Sequence, residues 1–170
     1  MKRLKTIYTD GGCYKGIGSW AYVILDGVPE SDKHELEHKL TGITLGTTNN
    51  RMEMIAIIEA ISMYDDTTHL IVCSDSGYVV TGFTHPSYLK KWVRNGWRTS
   101  KNDQVENQDL WKELIKLNES RNIEFIHIRG HGKNNNHIHN YFNNIVDRMC
   151  TEVRNNYNEC IRRELVKNTD

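Results

Sequence analysis

Three β-patterned runs come before any helical pattern in this 170-residue chain, and from there helix and strand alternate. That order constrains the fold more than any other feature. Leu4 to Tyr8 alternates and reads as a strand reaching Asp10, Trp20 to Leu25 as a second, and Lys33 to Leu45 as a third. Asp26-Gly27 between the last two is a hairpin signal. The polar run Thr47–Asn50 offers N-caps for a helix over Arg51 to Tyr64, apolar on most sides and therefore buried. His69 to Ser74 reads as an inner parallel strand ending at Asp75. Short helices follow at Ser76–Phe83 and Tyr88–Asn95, then a longer one at Asn107–Ser120 and a fifth strand at Ile123–Ile128. A last helix is expected from about Tyr141 to about Val166. The expectation is an α/β domain: a five-stranded mixed sheet flanked by helices.

The length suits one domain over residues 1–170 with a real core. No apolar run approaches the roughly 20 residues that span a bilayer. The start, Met1 to Asp10, lacks a signal peptide's apolar core, so no membrane association and an intracellular location are expected. Cys13, Cys73, Cys150 and Cys160 fit neither a zinc ribbon nor a CxxC pair and read as free thiols. Lys and Arg total 22, as do Asp and Glu, so no global charge draws the chain to nucleic acid. The distribution does more. From Pro86 to Lys101, Lys90, Lys91, Arg94, Arg98 and Lys101 occur with no acid among them, interleaved with Tyr88, Trp92 and Trp97.

Four acids stand out by position: Asp10 and Asp75 at strand ends, Glu53 early in the first long helix, Asp147 early in the last. Strand ends along one edge of an α/β sheet are where ligands bind. A single acid there is more often a cap or turn residue. Four converging would repel one another, and divalent metal is the natural compensation. Two Mg²⁺ ions can serve both oxygens of a phosphodiester displacement.

The residues flanking these acids resemble the type 1 ribonuclease H family. Tyr8-Thr-Asp-Gly-Gly-Cys13 is similar to its first catalytic strand, and Thr47-Thr-Asn-Asn-Arg-Met-Glu53 to its most diagnostic segment. Ser74-Asp-Ser-Gly-Tyr-Val79 resembles its third acid motif, and Gly130-His131-Gly132 with Asn143 and Asp147 its closing one. The similarity runs from about Lys5 to Cys150. It implies a ribonuclease H-like fold and an endonuclease that cuts the RNA strand of RNA–DNA hybrids, leaving 5′-phosphate and 3′-hydroxyl ends.

By the same resemblance, Asp10 would bridge two Mg²⁺ ions, with Mn²⁺ as the substitute. Asp147 would help hold the ion that activates water, and Glu53 and Asp75 the ion near the leaving group. His131 would assist proton transfer or product release, a task that suits a histidine near neutral pH. Asn49 and Asn50 resemble minor-groove readers, and Thr48 resembles a residue that binds a DNA phosphate. The basic segment resembles the family's protruding handle. There Tyr88, Lys90, Lys91, Trp92, Arg94 and Arg98 would meet the hybrid, with Trp92 on the DNA strand and Trp97 and Trp111 left as packing. With nine residues before Asp10, no separate N-terminal hybrid-binding module is expected. No obligate protein partner is implied, and the expected state is a monomer.

Three departures bear on function. Gly77 stands where the family often has Gln, which removes a minor-groove contact. The Gly-rich turn after Asp10 is compressed to Tyr14–Ser19. The stretch from His131 to Asp147 is longer than usual and reads as a polar flap carrying His137 and His139, for which a structural metal is the lesser reading. Three alternatives stay open: a DNA-directed resolvase or exonuclease of the same fold, a binding module without catalysis, and a structural protein of this fold, which leaves the four motifs unexplained. Cleavage of hybrid but not of duplex DNA excludes the first. Hybrid binding with cleavage that depends on Asp10 excludes the second.

Overall fold

The computed structural model describes residues 3–130 and 135–167. Strands β1 (Arg3–Tyr14), β2 (Ile17–Asp26), β3 (His38–Leu45), β4 (Thr68–Ser74) and β5 (Asn122–His127) form one sheet in the order β3-β2-β1-β4-β5. β1–β2 and β2–β3 pair antiparallel, whereas β1–β4 and β4–β5 pair parallel. The mixed five-stranded sheet expected from the sequence is therefore present.

Successive side chains on a strand point to opposite faces, and both faces are covered. Ile7, Tyr22, Ile24, Leu70 and Val72 face one core, filled by α1 (Asn49–Ser62), α2 (Gly77–Thr84), α3 (Ser87–Arg94) and α4 (Gln108–Ser120). Its centre is Trp111, which is 1% exposed and meets Tyr78, Phe83 and Trp92. Tyr8, Ala21, Val23, Leu25 and Cys73 face the second core, closed by Phe142, Val146 and Cys150 of α5 (His137–Lys167). Burial on both sides explains why β1 and β4 read as runs of apolar residues and why α1 shows little polar face.

Three local expectations are corrected. The tight hairpin is at Lys15-Gly16, both with positive φ (51° and 77°), joining β1 to β2. Gly27 also takes positive φ (71°) and donates to the Leu4 carbonyl at 2.8 Å, but it opens a longer connection. Buried Lys5 spans that connection, pairing with Asp26 at 2.8 Å and with Glu37. β3 consequently begins at His38 rather than Lys33, because the charged residues before it serve this grip instead of the sheet. Finally, α5 begins at His137, so most of the expected flap is helix. Asn136 accepts from the Ile138 amide at 2.9 Å, an N-cap interaction.

All four cysteines are free, as expected; Cys73 and Cys150 are buried and Cys160 is exposed. No described helix is long and apolar enough to cross a membrane.

Candidate active site

β4 pairs with β1 only as far as Ser74 opposite Thr9. Beyond that point β1 continues to Tyr14, so Asp10 lies inside the strand rather than at its end, where its parallel neighbour stops. Asp75 is the next residue after β4. The two carboxylates thus sit side by side at the opening of the sheet edge, the kind of place where α/β sheets bind ligands.

Glu53 reaches the same place through a close approach of backbones. A Cβ at Gly11 would collide with the main chain of Met52 and Glu53, so only glycine lets α1 lie on β1 here. Asp147 comes from the other layer. It lies well inside α5 rather than early in it, as the sequence had suggested, since the helix starts at His137. Asp10, Glu53, Asp75 and Asp147 line one cleft of about 440 Å³ together with Gly12, Asn49, Asn143, Thr151 and Arg154. The structure therefore brings together all four acids singled out from the sequence. His131 lies outside the described residues.

Burial, followed by the negative charges of Asp75 and Asp147, pushes the Asp10 carboxyl up to about 6. Burial likewise pushes Glu53 up to about 7, against a lowering hydrogen bond from Ser76 and with further raising by Asp75 and Asp10. Such a cluster is at odds with itself unless protons or cations balance it.

The donor set of the cleft suits divalent metal. The cleft offers carboxylate oxygens and an amide oxygen, the hard ligands that Mg²⁺ selects. Asn143 is 3% exposed, and its Nδ2 donates to Asp75 Oδ2 at 3.4 Å while its Oδ1 has no partner among the described residues. A Cβ on Gly130 would strike the Asp75 carboxylate, so that carboxylate has room only because residue 130 is glycine. No three His, Cys, Asp or Glu among the described residues form a finished cage. An open arrangement suits Mg²⁺, which binds through one or two carboxylates plus water and substrate phosphate. The residues fit.

Beside the carboxylates, Thr48 caps α1, accepting from the Arg51 amide at 3.4 Å. Asn49 Oδ1 accepts from the Cys13 amide at 2.5 Å, which fixes its side chain against β1. Asn50 joins Thr48, Asn49, Glu106 and Asn107 around a second hollow. Arg51 reaches across to Asp109 with two bonds of 3.0 and 2.8 Å and ties the start of α1 to α4. The polar run thus does more than cap.

On α3, Tyr88, Lys90, Lys91 and Arg94 are exposed around buried Leu89, and Arg98 is exposed just beyond it. Trp92 is half-buried, with its edge on Trp111 at 5.9 Å, so it carries packing as well as a free face. Trp97 packs at the core margin under the Lys112 ammonium, in keeping with its expected structural role. His137 and His139 lie in α5, not in a flap; His139 Nδ1 meets the Tyr8 hydroxyl at 2.9 Å. Sequence reasoning assigned no role to Ser76 or Gly11. The only signal for Gly11 was its place in the motif, and for Ser76 its place after Asp75.

A β3-β2-β1-β4-β5 sheet with a carboxylate cleft where β1 outruns β4 defines a class: a metal-dependent hydrolase of ribonuclease H-like fold. The family model for RNase H matches residues 2–155, and the chain belongs to the ribonuclease H family. It is 37% identical over 159 residues to the ribonuclease H of Acetivibrio thermocellus, covering 92% of this chain and 98% of that one. It is 38% identical over 148 residues to the ribonuclease H of Thermoanaerobacter sp. (strain X514), covering 86% of each. Among solved structures, its fold resembles LC9-RNase H1, a type 1 RNase H with the type 2 active-site motif. That match has a TM-score of 0.72 at 22% identity and covers 92% of this chain and 74% of that one. A foamy viral protease-reverse transcriptase in complex with dsDNA matches with a TM-score of 0.70 at 20% identity, over 87% and 92% of the two chains.

Proposed function

We propose that this cleft is where the chain, as a ribonuclease H, hydrolyses the RNA strand of RNA–DNA hybrids, with Asp10, Glu53, Asp75 and Asp147 holding divalent metal. The observation that carries this reading is the burial of Asp10 and Glu53 against two further carboxylates, with both carboxyls raised well above their ordinary range. Two Mg²⁺ ions, when bound, would supply an activated water and charge relief for the leaving oxygen, giving 5′-phosphate and 3′-hydroxyl ends.

The chain's own residues do the positioning. Asp10 and Asp75 are set by the sheet edge, Glu53 by the α1–β1 contact, and Asp147 by α5. Asn143 orients the Asp75 carboxylate, and Ser76 orients that of Glu53. His131 is assigned proton transfer or product release on the Gly130-His131-Gly132 pattern. Thr48, Asn49 and Asn50 read the hybrid's groove and a DNA phosphate. Tyr88, Lys90, Lys91, Trp92, Arg94 and Arg98 hold its flank, cations tracking phosphates while aromatics meet sugars. Residues 1–170 act as one catalytic domain, monomeric and intracellular, with Mg²⁺ as the preferred ion.

The test uses end-labelled RNA–DNA hybrid, duplex RNA, duplex DNA and single-stranded RNA, each with Mg²⁺, with EDTA, and with Asp10→Asn. Phosphodiester hydrolysis needs on the order of 20 kcal/mol of barrier reduction, so loss of a central ligand should be near total. The expected result is RNA cleavage confined to the hybrid, absent in EDTA and in the folded variant. An Asp10→Asn variant that keeps most of its activity would overturn the assignment.

A further inference from the structure

Asn143, Asp147, Thr151 and Arg154 follow one another at helical spacing along a single face of α5, and all four line the carboxylate cleft. Among the described residues that line it, Arg154 is the one cation. It is half-buried, and its Nη1 donates to Ser19 Oγ at 2.9 Å. Ser19 is fully buried in β2 and pairs with Gly12 of β1. A Cβ at Gly12 would come within 3.2 Å of the guanidinium, so the bare glycine leaves the head group room over the sheet.

Two other α5 arginines, Arg148 and Arg163, are matched to Glu152 and Glu159 one turn away. Arg154 has no carboxylate partner within ion-pair distance among the described residues, although it shares a cleft with four acids. A guanidinium has five N–H donors, and Ser19 occupies one of them. The others line the acidic cleft without a carboxylate at ion-pair distance among the described residues. A planar donor fork held in this way matches a phosphate.

We propose that Arg154, positioned by Ser19, binds a backbone phosphate of the strand being cut, one that neighbours the scissile phosphate rather than being it. Seven residues of helix place Arg154 roughly 10 Å along α5 from Asp147. Ser19 holds the guanidinium at Gly12, two strand residues or roughly 7 Å beyond Asp10, which favours a neighbouring phosphate over the one at the carboxylates. Thr151, exposed between them, offers its hydroxyl to the same strand. The cation also gives the acidic cleft a point of attraction for a polyanion, which the four carboxylates alone would repel in the absence of metal. This assignment rests on the cleft being the hybrid-cutting site.

The experiment compares the wild type with Arg154→Ala, Arg154→Lys and Ser19→Ala on one hybrid, in Mg²⁺. It measures KM and kcat, the salt dependence of KM, and melting temperature. A second set of hybrids carries one neutral methylphosphonate in the RNA strand, stepped outward from a defined cleavage point. Wild-type cleavage of the unmodified hybrid checks the underlying reading in the same assay. For Arg154→Ala, KM should rise about fivefold or more, and the log–log salt slope should fall by about one phosphate. At one methylphosphonate position the wild type should weaken to the level of Arg154→Ala, and that variant should lose nothing further. Arg154→Lys should recover part of the KM, and Ser19→Ala should raise KM with the arginine still present. Equal methylphosphonate sensitivity of wild type and Arg154→Ala at every position would overturn the proposal, as would a lowered melting temperature with KM and salt slope unchanged.

Discussion

The Ser76 hydroxyl donates to the Glu53 carboxylate and also accepts from the Val79 amide at 3.4 Å, so one side chain caps α2 and orients an acid on α1. Glu53 is pushed up by burial, and this hydrogen bond is the contribution that opposes the rise. In Ser76→Ala the cap is lost, at a cost of about 1 kcal/mol, and the Glu53 carboxyl should rise further. The expected outcome is a modest fall in melting temperature together with weaker Mg²⁺ binding at neutral pH that recovers at higher pH. Isothermal titration with Mg²⁺ at several pH values checks this. Unchanged metal affinity across the range would mean that Ser76 serves only as a cap.

The raised carboxyls at Asp10 and Glu53 also link stability to pH. Without metal, the fold favours their protonated forms, which adds stability that is full below the ordinary carboxylate range. That stability is lost as pH rises through about 6 at Asp10 and about 7 at Glu53. In EDTA, melting temperature should therefore fall between mildly acid and mildly alkaline pH. Asp10→Asn should stabilise the metal-free protein on the alkaline side by about 1–2 kcal/mol. Added Mg²⁺ should raise the wild type and leave the variant nearly unmoved. Thermal melts across pH, with and without Mg²⁺, read all three effects. A pH-independent wild-type melt in EDTA would contradict the linkage.

Gly130 separates stability from activity. A Cβ there meets the Asp75 carboxylate rather than the core, so Gly130→Ala should displace one ligand while the sheet stays intact. A shift of even 1 Å at a reacting centre can cost on the order of a hundredfold. The expected result is a loss of kcat of that order on hybrid substrate with melting temperature within a few degrees of wild type. A variant with wild-type kcat would show that Asp75 tolerates displacement.

What was legible in the sequence follows from how local each signal is. The order of elements and the four acids were readable because alternation, helical spacing and capping residues are written in neighbouring positions. The packing of Gly11 on the Met52–Glu53 backbone was not, since it joins residues far apart in sequence through a contact that has no side chain. The start of β3 was misplaced because Lys5, from another strand, draws Glu37 into an ion pair. The start of α5 was misplaced because His137 and His139 read as polar loop residues, whereas Tyr8, buried in the sheet, gives His139 a partner inside the fold.

Gly77 offers a prediction of gain. It is the first residue of α2, two residues after Asp75, and it lines a hollow shared with Tyr88 and Trp92, at the position where the resemblance places a glutamine. A Cβ there would come only within 3.8 Å of the His127 ring, an ordinary contact, so a β-carbon is accommodated at this position. Glutamine also suits a helix better than glycine by several tenths of a kcal/mol. Gly77→Gln should keep or slightly raise the melting temperature and tighten hybrid binding about two- to fivefold, on the scale of one added hydrogen bond. Binding titrations in Ca²⁺ with a hybrid and with a duplex DNA of the same sequence give the readout. Tighter binding to the hybrid alone would place the new amide in its groove, whereas an equal gain on both would assign it to the shared phosphate backbone. No gain on either, in a variant at least as stable as wild type, would show that the chain reads its substrate without this position.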